Sequence, residues 1–314
     1  MKVKLFTHTD LDGIGCAIIA FLSFGEGNVD VEYCDYHNIN DAVANYFNTN
    51  DGVLHDRIFI TDISVNKQVA DILDQHYQNG VNVRLFDHHD TAMWLNDYHW
   101  AYVLDRHHLD KKKASGTSLF YQYLLSKDSL LEIADDFVEL VRLYDTWEWT
   151  IVKDERPNDL NSLLTIYGRD RFVNQMMQRF KLLSFGEPFY FTEQDSFLLQ
   201  LHKEKIQNYV KHKEKSMHVL DVFNYKAGVV FAEQFINDVA HHLHDLHPEL
   251  DFIAVVNPYY ESISFRTNRE DVDVSKIAAK LGGGGKPQTA GAELSKEDIE
   301  SLLMHAFAFK MSED

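Results

Sequence analysis

Eight side chains able to bind a hard cation or carry a proton fall in four short runs of the first half of the chain. They are His8, Asp10 and Asp12 in HTDLDG, Asp62 in ITDIS, Asp87, His88 and His89 in FDHHD, and Asp145 in LYDTW. Asp and His without Cys suit Mn²⁺ or Mg²⁺ better than a structural zinc. Six such ligands shared by two ions make a two-metal centre, with the ions typically ~3.5–4 Å apart. A pair of that kind lowers the pKa of a bridging water, holds the resulting hydroxide in line with phosphorus and neutralises charge growing on the phosphoryl oxygens. The chemistry within reach is hydrolysis of a phosphate ester.

Elements must then deliver these groups to one place. KVKLFT, VDVEYC, RIFITD and VNVRLFD are β-rich runs, separated by helical patterns at GCAIIAFLSF, INDAVANYF and NKQVADILDQHY. That alternation predicts an α/β fold with a doubly wound, mainly parallel N-terminal sheet. Ligands in such sheets lie beyond the carboxyl ends of the strands, where three of the runs fall. Read as extended chain, HTDLD points His8, Asp10 and Asp12 the same way. Helices follow at SGTSLFYQYLL and at LLEIADDFVELVRLYDTWEW, the second carrying Asp145. A long charged helix over 192–216 leads to VLDVFNYKAGVVFAE, DFIAVVNPYYESISFRT and VDVSKIAAKL, which predict a smaller C-terminal α/β domain. The expected organisation is a metal-binding catalytic domain over 1–190, a helical linker over 191–218 and a substrate-binding domain over 219–314.

Simpler readings of the same letters account for less. HTDLDG opens like a calcium loop, but the twelfth position, which needs Glu, is Ile19. Helix capping explains Asp12 or Asp62 singly, not the whole set. HHLHDLH, 241–247, reads as a solvated helix surface and RHHLDKKK, 106–113, as a surface loop, while Ser115 and Thr117 of ASGT serve either substrate contact or a helix N-cap.

Composition bounds the partners. The 314 residues are 45% hydrophobic, with 21 Phe and 15 Tyr, enough to bury the cores of two domains. No run approaches the ~20 apolar residues of a membrane span, and the start lacks the pattern of a secretion signal, so a soluble cytoplasmic protein is expected. Cys16 and Cys34 read as reduced core residues. A formal charge of −19, concentrated in the first part, repels long nucleic acid.

In letters and order, the four runs resemble the four motifs of the DHH phosphoesterases. SFRT at 264–267 and GGGGKPQTAG at 282–291 resemble the associated C-terminal (DHHA1) domain, which holds substrate. Within that superfamily the opening and length look most like the bacterial oligoribonucleases, or nanoRNases. The resemblance implies two Mn²⁺ ions, with Mg²⁺ or Co²⁺ as substitutes. It implies that His8, Asp10 and Asp62 hold one, that Asp12, Asp62, His88 and Asp145 hold the other, and that Asp62 bridges. Asp87 would accept a ring N–H of the kind metal-bound histidines donate, and His89 would protonate the leaving oxygen.

Substrate contacts carried over are Arg266, Gly283, Gly284, Gly285 and Lys286. The glycine run fits neither a Walker loop nor a dinucleotide fingerprint, and it reads as a phosphate cradle rather than a linker. Lys286 stands where the family usually has His, and Thr289 where it usually has Ala, so a fixed cation replaces a switchable contact.

The expected activity is an Mn²⁺-dependent exonuclease trimming short oligoribonucleotides to mononucleotides in a cleft between the domains, with room for a homodimer. The same residues would serve 3′-phosphoadenosine 5′-phosphate or a linear or cyclic dinucleotide. An inorganic pyrophosphatase fits the tail less well, and a non-catalytic nucleotide sensor fits poorly with every ligand position filled.

Overall fold

Strands apolar on both sides organise the first half of the protein. The structure, a computed structural model, describes residues 1–48, 54–108, 110–298 and 300–301. The end of the expected C-terminal domain, 302–314, therefore lies outside the described residues. The chain divides into two compact units, Met1–Leu199 and the part from Gln200 onward.

The first unit runs β1 (Val3–Thr7), α1 (Leu11–Phe24), β2 (Val29–Tyr33), α2 (Ile39–Asn48), β3 (Arg57–Thr61), α3 (Lys67–Gln78), β4 (Val83–Asp87), β5 (Ala101–Val103), α4 (Gly116–Leu125), α5 (Asp135–Asp145), α6 (Trp149–Val152), α7 (Arg156–Tyr167) and α8 (Arg169–Leu182), then enters α9 (Glu193–Lys215). Its five-stranded sheet has the order β2-β1-β3-β4-β5, and every pairing is parallel. Strand alternation sorts the apolar residues into two cores. Val3, Leu5, Phe59 and Phe86 face one core, shared with Ile14 and Ile18 of α1, Phe120 of α4 and Phe137 of α5. Phe6, Ile58, Ile60 and Leu85 face the other, with Val43 of α2 and Leu73 of α3. A sheet covered on both faces is the setting in which parallel strands persist.

The fifth strand was not legible beforehand, being only three residues long. Its outer edge is closed by Asn96, whose amide donates to the Val103 carbonyl at 2.8 Å and whose carbonyl oxygen accepts from the Val103 N–H at 2.9 Å. One side chain thus supplies both hydrogen bonds that a further strand would make, which blunts the edge.

The extended reading of HTDLD does not hold. β1 stops at Thr7, Asp10 caps α1 by accepting from the Gly13 N–H at 3.1 Å, and Asp12 sits in the first turn of the helix. A strand-to-helix turn, not alternation, brings the three together.

After α9, the second unit contains β6 (His218–Val222), β7 (Tyr225–Phe231), α10 (Ile236–Leu246), β8 (Phe252–Asn257), β9 (Ser262–Arg266), α11 (Val274–Ala279), β10 (Gly284–Lys286) and β11 (Thr289–Glu293). They make a six-stranded mixed sheet in the order β10-β11-β9-β8-β7-β6, with only the β7–β8 pairing parallel. Val230, Val239, Leu243 and Val255 build the core under α10, and Phe252, Phe265 and Ile277 the core under α11.

Two histidines expected on the surface are interior. His244 on α10 is 4% exposed, because its helix position faces the sheet beside Leu243. His107, also 4% exposed, has its ring 2.8 Å from the Ser118 hydroxyl at the start of α4. No helix among the described residues is long and apolar enough to cross a membrane, and both cysteines are buried and unpaired.

Candidate metal centre

Asp62 follows β3 in the left-handed region, at φ +58°. That conformation is uncommon for a residue with a side chain and tends to mark sites where geometry is imposed for function. Two contacts hold it. The Asp62 N–H donates to the Phe86 carbonyl at 2.9 Å, and the backbone of Gly116 lies so close that a Cβ there would stand 2.5 Å from the Asp62 Cβ. Only glycine lets α4 begin against Asp62.

The two oxygens of this buried carboxylate face different partners. Oδ1 is 3.4 Å from His88 Nε2, and Oδ2 is 3.8 Å from His8 Nδ1. On the His8 side, Asp10 Oδ2 approaches the same ring nitrogen at 2.8 Å, and His8, Asp10 and Asp62 each offer a ligand atom within 4.8 Å of the others. On the opposite side, His88 Nε2 is 3.5 Å from Asp145 Oδ2 and 3.8 Å from Asp12 Oδ2, which makes a second such triplet. All six residues expected to hold metal converge, three to each side, with Asp62 reaching toward both.

Helix ends position the rest. Asp12 Oδ1 accepts from the Thr117 N–H at 2.9 Å, its other oxygen accepts from the Gly116 N–H, and the Thr117 hydroxyl donates to the Asp12 carbonyl. The N-terminus of α4, with Ser115 as its cap, therefore orients Asp12 through orphan amides and the favourable end of the helix dipole. Asp145 closes α5. Behind the centre, buried hydroxyls tie β1 to β3, the Thr61 hydroxyl donating to that of Thr7 at 2.8 Å.

Electrostatics argue for a cation. Burial first, and then the carboxylates of Asp12 and Asp10, push the Asp62 carboxyl well above its usual range. Asp10 at its ring raises His8, whereas burial lowers His88. His8 Nδ1, Asp62 Oδ2 and His88 Nε2 are buried without hydrogen-bond partners, the 2.8 Å approach of Asp10 lacking hydrogen-bond geometry. Each such orphan costs on the order of 1–3 kcal/mol, which ligation removes. Burial, then the Asp12 charge, keeps the nearby Cys16 thiol protonated, so no thiolate competes for the ion. The oxygen and imidazole set fits a hard or borderline divalent cation.

Asp87 and His89 form a hydrogen-bonded pair beside the centre, their ligand-type atoms within 4.8 Å of those of Asp62 and His88. Asp87 Oδ1 accepts the His88 N–H at 2.7 Å and lies 2.7 Å from His89 Nδ1, while Oδ2 accepts from Ser64 at 2.9 Å. Burial alone would raise this carboxyl, but the bond and charge of His89 outweigh it and hold Asp87 below its ordinary value. The same hydrogen bond raises the His89 imidazole. The ring that Asp87 orients is thus that of His89, while His88 gives it a backbone N–H and turns its own ring to Asp62. His89 keeps 36% of its side chain exposed.

In the second unit, register places Lys286, Thr289 and Arg266 side by side across β10, β11 and β9. Directly opposed residues share a sheet face. Arg266 donates to Asn237 at 2.7 Å and to the Ala290 carbonyl at 3.3 Å, and pairs with no carboxylate among the described residues. Of the glycines, Gly283 and Gly285 are required by packing against β11, since a Cβ would come 2.0 Å from the Gly291 carbonyl oxygen or 2.5 Å from that of Thr289. Gly284 has open space, and with Lys286 it is exposed. Packing therefore explains two of the glycines expected to cradle phosphate.

Sequence reasoning left Ser115 and Thr117 open between substrate contact and a helix N-cap; Ser115 is the cap, and the hold of Gly116 and Thr117 on Asp12 was missed. It also missed Ser64, the hydroxyl donor to Asp87, whose local sequence carries no signal of that role.

No family model matches the chain. It is 35% identical to the oligoribonuclease NrnB of Bacillus subtilis over 307 residues, 96% of this chain and 75% of that protein. Among solved structures, a pGpG-specific phosphodiesterase, PggH, from Vibrio cholerae superposes with a TM-score of 0.54 at 15% identity, covering 100% of both chains. The exonuclease RecJ bound to manganese gives 0.51 at 14% identity, covering 98% of this chain and 89% of that one. With that relative, this fold and these four motifs at the edge of the parallel sheet, the chain belongs to the DHH/DHHA1 phosphoesterases and is a hydrolase of phosphodiesters resembling the bacterial oligoribonucleases of that superfamily.

Proposed function

We propose that this protein is a manganese-dependent exonuclease that hydrolyses short oligoribonucleotides to mononucleotides. The observation that carries the proposal is the placement of the two Asp62 oxygens, one toward His8 and one toward His88. On this reading His8, Asp10 and Asp62 hold one ion, and Asp12, Asp62, His88 and Asp145 hold the other. Two bound Mn²⁺ ions, or Mg²⁺ or Co²⁺ in their place, would acidify a water and offset charge on the phosphoryl oxygens. The resident residues do the remaining work. Asp87 fixes the His89 ring through Nδ1, which leaves the protonated ring's other nitrogen free to give its proton to the departing sugar oxygen. The attacking water would release its proton to solvent as its oxygen joins phosphorus, the bond to the sugar oxygen breaks with that oxygen taking the His89 proton, and solvent returns a proton to His89.

Substrate length follows from charge. A protein of net −19 repels long polyanions, whereas the Arg266–Lys286 row offers cations to one or two phosphates. We assign the enzyme to the cytoplasm, in keeping with its two free thiols. The similarity to an oligoribonuclease favours short RNA; the structural likeness to a pGpG phosphodiesterase favours linear dinucleotides as its shortest substrates. The test is Mn²⁺-supported digestion of end-labelled RNA of two to five nucleotides beside 3′-phosphoadenosine 5′-phosphate. RNA is expected to turn over faster, with Asp62→Ala inactive and His89→Ala slow. Faster hydrolysis of the phosphoadenosine would overturn the assignment.

A further inference from the structure

Beside the metal centre stands an aromatic ring that no part of the chemistry uses. Tyr36 is 61% exposed, and its ring centroid lies 5.3 Å from that of His8, tilted by 48°. Its hydroxyl makes no hydrogen bond among the described residues. An exposed ring at the end of a floppy loop would carry little meaning, but this loop is pinned at several points. The Cys34 N–H donates to the Thr7 carbonyl at 2.8 Å, extending the β1–β2 ladder one residue past β2 and one residue short of His8. The Asp35 carboxylate accepts from the N–H groups of His37 at 2.8 Å and Asn38 at 3.2 Å, and the Asn38 amide oxygen accepts from the Asp35 N–H at 2.9 Å. These bonds hold Tyr36 at the carboxyl end of the sheet, where ligands of α/β folds bind.

We propose that Tyr36 is the platform on which a nucleobase next to the scissile phosphate stacks, making it a specificity-determining residue that favours nucleotide diesters over diesters lacking a base. The inference rests on the phosphodiesterase reading above and adds a contact to it. Aromatic stacking suits this site because every base has a π-face and the contact needs no positive charge, which the acidic surroundings would neutralise. A ring held in place before substrate arrives loses little freedom on binding.

The test compares wild type, Tyr36→Ala and Tyr36→Phe on an RNA dinucleotide and on the same dinucleotide with either base removed, in Mn²⁺. Equilibrium binding of the dinucleotide is measured alongside. Tyr36→Ala is expected to raise KM and Kd for the intact dinucleotide roughly five- to a hundredfold with kcat within about twofold, and Tyr36→Phe to behave as wild type. On one of the base-free substrates the wild type and Tyr36→Ala should coincide. Unchanged KM and Kd in Tyr36→Ala overturn the inference, and so does an equal loss in Tyr36→Phe, which would assign the effect to the hydroxyl. Binding that depends on Tyr36 without turnover by wild type would sink the phosphodiesterase reading while the stacking contact itself stands.

Discussion

The carboxylate of Asp12 is held by the N–H of Thr117, 2.9 Å away in space and 105 residues later in sequence. Together with the neighbouring Gly116 N–H, this bond makes the first turn of α4 a part of the candidate metal centre. Gly116 also has to be bare, because it abuts Asp62.

Gly116→Ala should therefore disable the centre rather than merely loosen the fold. Overpacking of this kind costs about 1–3 kcal/mol. Metal affinity and turnover are expected to fall at least tenfold. Ser115→Ala, which removes the cap of the same helix, should lower stability by about 1 kcal/mol and leave metal affinity near wild type. Thermal melts and a metal titration on both variants check the contrast; a Gly116→Ala protein that binds metal normally would contradict it.

Asp62→Asn should stabilise the metal-free protein. In the fold, burial and the nearby carboxylates raise this carboxyl above its unfolded value. Its contribution is therefore favourable in acid and is lost as pH climbs through the raised value, so the metal-free wild type is strained at neutral pH. Asn carries no charge and tolerates the φ of +58°. Melting in chelator at pH 7 should show the variant higher by several degrees, at about 2–4 °C per kcal/mol for a unit the size of Met1–Leu199. The gap should close toward pH 4, and added Mn²⁺ should lift the wild type alone. A variant less stable than wild type at pH 7 would count against the charge argument.

How far the letters led can be judged on these same residues. The four motif runs and the alternation of KVKLFT, RIFIT and VNVRLF with helices were enough for the parallel sheet and for the edge where the polar groups gather. What they did not reveal depends on distant partners. The αL backbone of Asp62 and the clamp on Asp12 exist only once Gly116 arrives from far along the chain. That Asp87 orients His89 rather than His88 depends on side-chain direction after β4, which spacing leaves open. His244 and His107 were misread because a polar name says little about a helix face until its packing partner is known.

His89 should set the alkaline limb of the pH–rate profile. A general acid must be protonated, and the Asp87 bond raises its pKa, so activity should persist above the ordinary histidine value and fall as pH rises through the elevated one. Asp87→Asn removes the stabilising charge and should move that limb to lower pH. His89→Ala should slow RNA cleavage roughly 10²–10⁴-fold, and far less on a p-nitrophenyl ester whose leaving group needs no proton. Equal losses on both substrates would remove His89 from the proton-donor role.

The cation row of the second unit should act on affinity alone. Lys286→Ala and Arg266→Ala are each expected to raise KM for short RNA about tenfold and to steepen less with salt than wild type, with metal stoichiometry unchanged. Steady-state kinetics at two ionic strengths measure this. A fall in kcat with constant KM would place these groups elsewhere in the reaction.

The most direct measurement is a count of the ions and of their mutual distance. Metal-free protein titrated with Mn²⁺ and followed by electron paramagnetic resonance should bind two ions per chain and show the exchange-coupled spectrum of ions that share the Asp62 carboxylate. Asp62→Ala should lose that coupling. One ion per chain, two magnetically isolated ions, or no binding would contradict the two-sided role of Asp62 on which the proposed chemistry stands.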